Sequence, residues 1–447
     1  MNIQDFQVKL FKEAASTGFT DVEVYYEMKE VFGCQIFKGE IDQYEIAEDG
    51  GVSFRGIIDG KMGYAYTEKL DDASIPFLLK NAKENAEFMN DEDIEEIFAG
   101  SSFYENRNFY SAVLNDVTIL EKIQFIKDVE RELLAMDPRI VATDYCLIRT
   151  TSVTKSLSNT KGLSLSDQVN YLYVMVEAIV KDGEETKTSF EFKVTKDFQS
   201  LAAKEIATRA AEEALSQLGS RNITSKDYPV LLRNDAAASL LATFSDNFSA
   251  ENTQAGLSSL KDKLGKQIAS SMVTIVDDPF LEDGLGSRNF DSEGVATEKL
   301  TLVESGVLHS FLHNLKTAKK DQTATTGHAQ KDSYKGAVKV GPSNLYIVPS
   351  ASSLEELVFT MGEGVLITGL SGLHSGANQI SGDFSVAANG FYVKDGKIQF
   401  PVNLMTIAGN FYQLLTDVEK VGSDLTFPLS PVGSPSLLIK SLSVTVE

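Results

Sequence analysis

The chain has 447 residues, an apolar fraction of 43% and 64 acidic against 41 basic residues, for a formal net charge of −23. That acid excess argues against a nucleic-acid partner, which needs a basic face. The longest apolar run, Tyr171 to Val180, is interrupted by Glu177 and is too short to span a membrane.

The length predicts two or more domains. The only cysteines are Cys34 and Cys146, and Met1 to Phe11 lacks a basic segment followed by an apolar one. A reducing cytoplasm is therefore the expected compartment, without a disulfide framework.

In chain order, Ile3 to Thr17 reads as an amphipathic helix, with Phe6, Leu10 and Ala14 on one face and Gly18 as its stop. Val22, Val24 and Tyr26 alternate with Glu23, Tyr25 and Glu27, the pattern of a half-buried strand. A second strand runs through Phe32, Cys34 and Ile36. Two more lie at Gly51 to Ile58 and Met62 to Thr67, joined by Asp59-Gly60. Ser74 is the expected cap of a helix from Ile75 to Phe88, and the acidic run Asn90 to Glu96 reads as a solvated loop. Thr118 and Glu121 form a capping box for a helix ending near Met136, with Pro138 just beyond. Strands follow at Ile140 to Ser158, Val169 to Val180 and Thr186 to Lys193, the last two joined by Asp182-Gly183. An Ala-rich helix, Leu201 to Leu218, stops at Gly219.

From Arg221 the character changes. Tyr228 to Leu232 reads as a strand and Ala236 to Phe244 as a helix, and strands are expected to dominate to the C-terminus. The predicted boundary lies near Gly219 to Lys226, dividing the chain into 1–220 and 221–447. The fold class read from this order is α+β, with an N-terminal curved sheet and helices followed by a larger β-rich C-terminal domain.

The most informative stretch runs from Gly369 to Phe411. Gly369, Gly372 and Gly376 surround Leu373, His374 and Ser375, a composition suited to a shaped loop. Gly382-Asp383-Phe384-Ser385 follows, and then a hairpin whose strands flank Asp395-Gly396. Pro401-Val402 and Ile407-Ala408-Gly409-Asn410 complete the pattern. In order and spacing this stretch resembles the signature of the TldD/PmbA family. Further matches lie at Leu264 to Gln267, Asp277-Asp278-Pro279, Asp291 to Val295, Thr326-Gly327-His328 and Gly433-Ser434-Pro435. The turn Ser158 to Gly162 also resembles a family turn, and a purely structural role suits it equally. The family's older label, modulator of DNA gyrase, gets no support from the charge.

The resemblance implies a cytosolic peptidase family whose catalytic branch binds zinc through a HExxxH helix and a late cysteine. Zinc needs imidazole or thiolate donors around one point and a glutamate to activate water. In this chain the two histidine positions correspond to Ala242 and Asn247 and the glutamate position to Thr243, and no cysteine follows Cys146. None of these residues can serve the family role. The chain therefore resembles the metal-free PmbA/TldE branch, with no cofactor and no catalytic residue of its own expected. The implied partner is a TldD-like zinc subunit in a heterodimer, with a homodimer as the alternative state. The implied substrate is an unfolded or extended peptide. His374, Ser375, Gly376, Asn378, Asp383 and Phe384 are the expected substrate-channel residues.

Two rivals stand beside that reading: a peptidase with its own site on His374 and Asp383, and a homodimeric peptide-binding or scaffold protein. Other templates fit less well. His309 and His313 are four apart, but their surroundings read as a strand, which separates them by about 13 Å. Gly369-Leu370-Ser371-Gly372-Leu373 misses the nucleophile-elbow pattern at its last position, and Ser258-x-x-Lys261 lacks its companion motifs. Asp277, Asp278, Asp291 and Glu293 either bind a hard cation or cap turns and bond to loop backbone.

Overall fold

The structure is a computed structural model and describes residues 1–88 and 95–446. Residues 90–94 of the expected acidic loop lie outside the described residues.

The N-terminal part is built on a 6-stranded antiparallel sheet, ordered Lys61–Thr67, Glu40–Ile58, Asp21–Phe37, Ile140–Asn159, Ser164–Asp182, Glu185–Thr195. Helices Ile119–Met136 and Ala203–Ser216 bury Ile126, Val129, Leu133, Ala207 and Ala210 against Cys34, Ile36, Cys146, Ile148 and Val174. Helices Ile3–Ser16 and Ser74–Glu87 close a second core around Phe6, Leu10, Val24, Phe54 and Leu78. The alternation along Ser164–Asp182 is regular, with Leu172, Val174, Val176, Ala178 and Val180 all turned into the helical layer.

Local signals explain most of these elements. The Thr118–Glu121 capping box forms as expected. Asp59 and Gly60 both adopt positive φ, 51° and 77°, as a type I′ hairpin demands. Three expectations need correction. The first two strands are one strand of 17 residues. Ser74 is not the cap: it lies inside the helix, and its backbone N–H and hydroxyl both donate to Asp71 Oδ1, at 2.9 and 2.7 Å. Asp21–Phe37 is not half-buried at its start, because Glu23 is only 2% exposed. Glu23 pairs with Arg55 Nε at 2.6 Å, and Arg55 Nη1 reaches Glu293 at 3.2 Å. Loops from the C-terminal half cover this end of the sheet, burying Tyr25, Leu157, Leu163, Phe290 and Tyr334 together.

In the C-terminal half a 7-stranded sheet closes on itself. Gly364–Ser371 pairs with Lys226–Leu232, which pairs with Leu437–Val446, then Met405–Asn410, then Asp383–Lys394, which returns to Gly364–Ser371. Helix Asn234–Phe244 packs on this barrel through Leu240, Leu241 and Phe244, and the Phe244 ring stacks on Phe411 at 4.5 Å. Closure removes most free sheet edges. It also fixes the strand beginning at Asp383 relative to the helix.

Between helix and barrel the chain is less regular than expected, with strands as short as 2 residues. Buried side chains satisfy the backbone there instead of a ladder. Asp277 accepts from Ser343 N at 2.9 Å and lies 3.0 Å from His328 Nε2. Asp291 accepts from the backbone of Glu293, Val295 and Ala329 at 2.8, 3.0 and 2.9 Å. Glu293 also accepts from Leu315 N at 2.9 Å, and Asp278 pairs with Lys299 at 3.0 Å. Of the two roles open to these acids, the geometry is that of turn capping and backbone bonding.

The expected strand through His309 and His313 also stops early, at Leu308. His309 follows it, half-exposed. His313 is buried next to the helix Leu315–Lys320, which Asn314 caps.

Candidate substrate groove

Strand Gly364–Ser371 ends at Gly372, whose φ of 80° turns the chain into the short helix Leu373–Gly376. Ala377 then bridges to Phe384, and Asn378 N donates to Asp383 O at 2.8 Å, so that 377–384 folds back on itself. The Asn378 side chain makes the turn: Oδ1 accepts from Ile380 N at 3.0 Å and Ser381 N at 3.1 Å. Gly382, at φ 86°, completes it.

This hairpin-like loop faces helix Asn234–Phe244 across an open cavity of about 1030 Å³. Thr243 lines one wall. His374, Ser375, Gly376, Asn378, Asp383 and Phe384 line the other, together with Leu373, Gln379 and Ile380. His374, Ser375, Asn378 and Asp383 are exposed, whereas Phe384 is 3% exposed and belongs to the barrel core. Gly376 is required for close approach, because a Cβ there would lie 2.4 Å from Ser385 O. Its φ is not in the left-handed region.

Asp383 accepts from Ser381 Oγ at 2.8 Å and from Asn410 Nδ2 at 2.9 Å. Hydrogen bonds from Asn410 and Ser381 hold its carboxyl below the usual range. It is therefore an ionised, fixed wall group. Asn410 was legible only as part of a motif, and its action on Asp383 spans 27 residues. Leu373, Gln379 and Ile380 carried no chemical signal.

The helix ends at Phe244, and Asn247 lies beyond it on the 3-10 turn Ser245–Phe248, so the three motif positions do not share one helix. Ala242 packs against the core. Thr243 Oγ1 donates to Ser239 O at 2.9 Å, as a helical threonine often does. Asn247 is 2% exposed and spends both amide hydrogens on carbonyls, Phe244 O at 3.1 Å and Gln379 O at 3.0 Å. A zinc ion needs several nitrogen, sulfur or carboxylate donors directed at one point. These three side chains do not fit it, and among the described residues no group of three or more His, Cys, Asp or Glu could hold a metal ion. Ser258 is likewise engaged: its hydroxyl donates to Asn247 O at 2.8 Å.

Three family models match the chain: PmbA/TldA metallopeptidase domain 1 over residues 22–86, the central domain over 113–218 and the C-terminal domain over 225–446. The chain belongs to the PmbA/TldD family. Over 97% of its length it is 30% identical to an uncharacterised protein of Methanocaldococcus jannaschii, covering 98% of that protein. Metalloprotease PmbA of Escherichia coli is 27% identical over 94% of this chain and 92% of its own. A Thermotoga maritima crystal structure, described as a candidate modulator of a DNA gyrase, superposes with a TM-score of 0.92 at 34% identity, covering 99% of this chain and 100% of the other. TldE from Thermococcus kodakarensis shares the fold, with a TM-score of 0.89 at 22% identity over 98% of this chain and 100% of its own. PmbA/TldD relatives carry metalloprotease names, which makes this a peptidase-related chain. No helix among the described residues is long and apolar enough to cross a membrane.

Proposed function

We propose that this chain is the metal-free subunit of a TldD–TldE-like metalloprotease and that its groove is one wall of the peptide channel. The observation that carries the reading is the pairing of an open groove with a degenerate motif. Thr243 lines the cavity where a glutamate would stand in a zinc peptidase, while Ala242 and Asn247 offer no usable ligand. Such a wall can hold an extended peptide through backbone hydrogen bonds and small pockets, which tolerate many sequences. The zinc and the general base come from a HExxxH-bearing partner, in the cytoplasm, and nucleic acid plays no part. Residues 1–220 and 221–447 act as two domains, the second carrying the groove.

The test is reconstitution. The purified chain alone leaves unfolded peptides intact, and hydrolysis appears on mixing with a TldD-like subunit and vanishes with a chelator. A rival site has in its favour that His374 and Asp383 share the cavity. Chelator-insensitive cleavage by the homogeneous chain alone, lost in His374→Ala, establishes the rival and ends the present reading.

A further inference from the structure

Asn247 occupies a position where the family resemblance places a zinc ligand, yet its amide nitrogen is committed elsewhere, while its Oδ1 is buried with no hydrogen-bond partner among the described residues. Its two amide hydrogens face two carbonyl oxygens, Phe244 O at the end of the helix and Gln379 O on the groove loop, 132 residues away. That pair of acceptors fixes the orientation of the carboxamide, since the reverse flip would set oxygen against oxygen. Asn247 is 2% exposed; its bond to Phe244 O is buried and its bond to Gln379 O partly so. One residue further along, Ser259 Oγ donates to Ile380 O at 2.7 Å. Two successive carbonyls of the loop are thus held from beneath. On its far side Asn410 Nδ2 holds Ser381 O at 2.9 Å. Between these ties the loop presents Asn378, Gln379 and Ile380 side chains, all exposed.

We infer that Asn247 is a positioning residue: it ties the loop 378–382 to the end of the motif helix and so presets the groove wall that meets the peptide. The place of a metal ligand has become a structural tie. Asn247 touches no substrate and acts through the Gln379 carbonyl. The consequence for peptide affinity rests on the proposed function of the groove, whereas the tie itself does not.

The experiment separates the two. Asn247→Asp keeps size and shape but presents oxygen to both carbonyls. Hydrogen exchange of the intact chain is read over 378–384, with the urea midpoint and the binding of a fluorescent extended peptide measured on the same samples. Expected is roughly tenfold faster exchange confined to that loop, the effect of losing one partly buried hydrogen bond. Weaker peptide binding accompanies it. Asn247→Gln moves the amide group by one methylene and fails to restore protection. Unchanged loop exchange in Asn247→Asp overturns the tie, whatever the peptide does. Faster exchange with no peptide binding by the wild type keeps the tie and sinks the channel reading. Should Asn247→Asp not fold, Ser259→Ala tests the neighbouring bond: a smaller rise in exchange over the same residues supports the tie, and no rise overturns it.

Discussion

Arg55 sits where two parts of the chain meet, between Glu23 on its neighbouring strand and Glu293 on a distant loop. Removing one partner of such a buried network leaves uncompensated charge, which costs about 3–5 kcal/mol. Arg55→Met, with two buried carboxylates left, is expected to lose stability in that range by urea denaturation. A loss below about 1 kcal/mol would place the network in solvent-like surroundings. Asp277 makes a pH-dependent contribution. Burial alone raises its pKa, but neighbouring His328 and the hydrogen bond from Ser343 outweigh burial, and the carboxyl lies below its ordinary value of 3.8. A depressed folded-state pKa adds stability above the unfolded value and loses it as pH falls through the folded one. The stability gap between wild type and Asp277→Asn is therefore expected to be full at neutral pH and to close below 3.8. Denaturation curves over a pH series check this, and a gap that widens in acid contradicts it.

At the scale of elements, the groove depends on how closely the helix Leu373–Gly376 lies on the strand Asp383–Lys394. A Cβ at Gly376 would meet Ser385 O at 2.4 Å and Val386 Cγ1 at 2.9 Å. Backbone cannot yield as a side chain tip can, so even Gly376→Ala must lift the helix, at about 1–3 kcal/mol of overpacking. The barrel beneath is closed and should survive. Under the proposed function, the expected result is weakened peptide binding with an unchanged far-ultraviolet spectrum and intact assembly with a TldD-like subunit. Full peptide affinity in Gly376→Ala would show that the helix does not shape the site.

For the whole molecule, the donor set predicts metal content. Ala242, Thr243 and Asn247 cannot replace two imidazoles and a base. His313 and His328 are buried neighbours, His328 N donating to His313 O at 3.2 Å, but among the described residues no third donor completes a metal site with them, and His374 is exposed in the groove. Elemental analysis after dialysis should find far less than one zinc per chain. Near-equimolar zinc that is lost in His374→Ala would contradict the non-catalytic assignment.

The sequence by itself determined the local grammar: the Thr118–Glu121 box, the Asp59-Gly60 turn, the alternating strand Ser164–Asp182 and the ordered signature from Gly369 to Phe411. Caps, turns and periodicity act over a few residues, so they are legible without a fold. The sequence also showed that the motif positions Ala242, Thr243 and Asn247 carry neither imidazole nor carboxylate, because donor types can be read directly. Only the tertiary structure decided what is buried and what is tied. Glu23 reads as an outward position, yet charges 32 residues away and, through Arg55, 238 residues further along bring it inside. Asn247 reads as a failed ligand, and only folding brings Gln379 to it. The barrel closes because Gly364–Ser371 pairs on both sides, with Lys226–Leu232 and Asp383–Lys394. Each of these depends on partners distant in sequence, and a local pattern carries no information about which partners the chain will bring together.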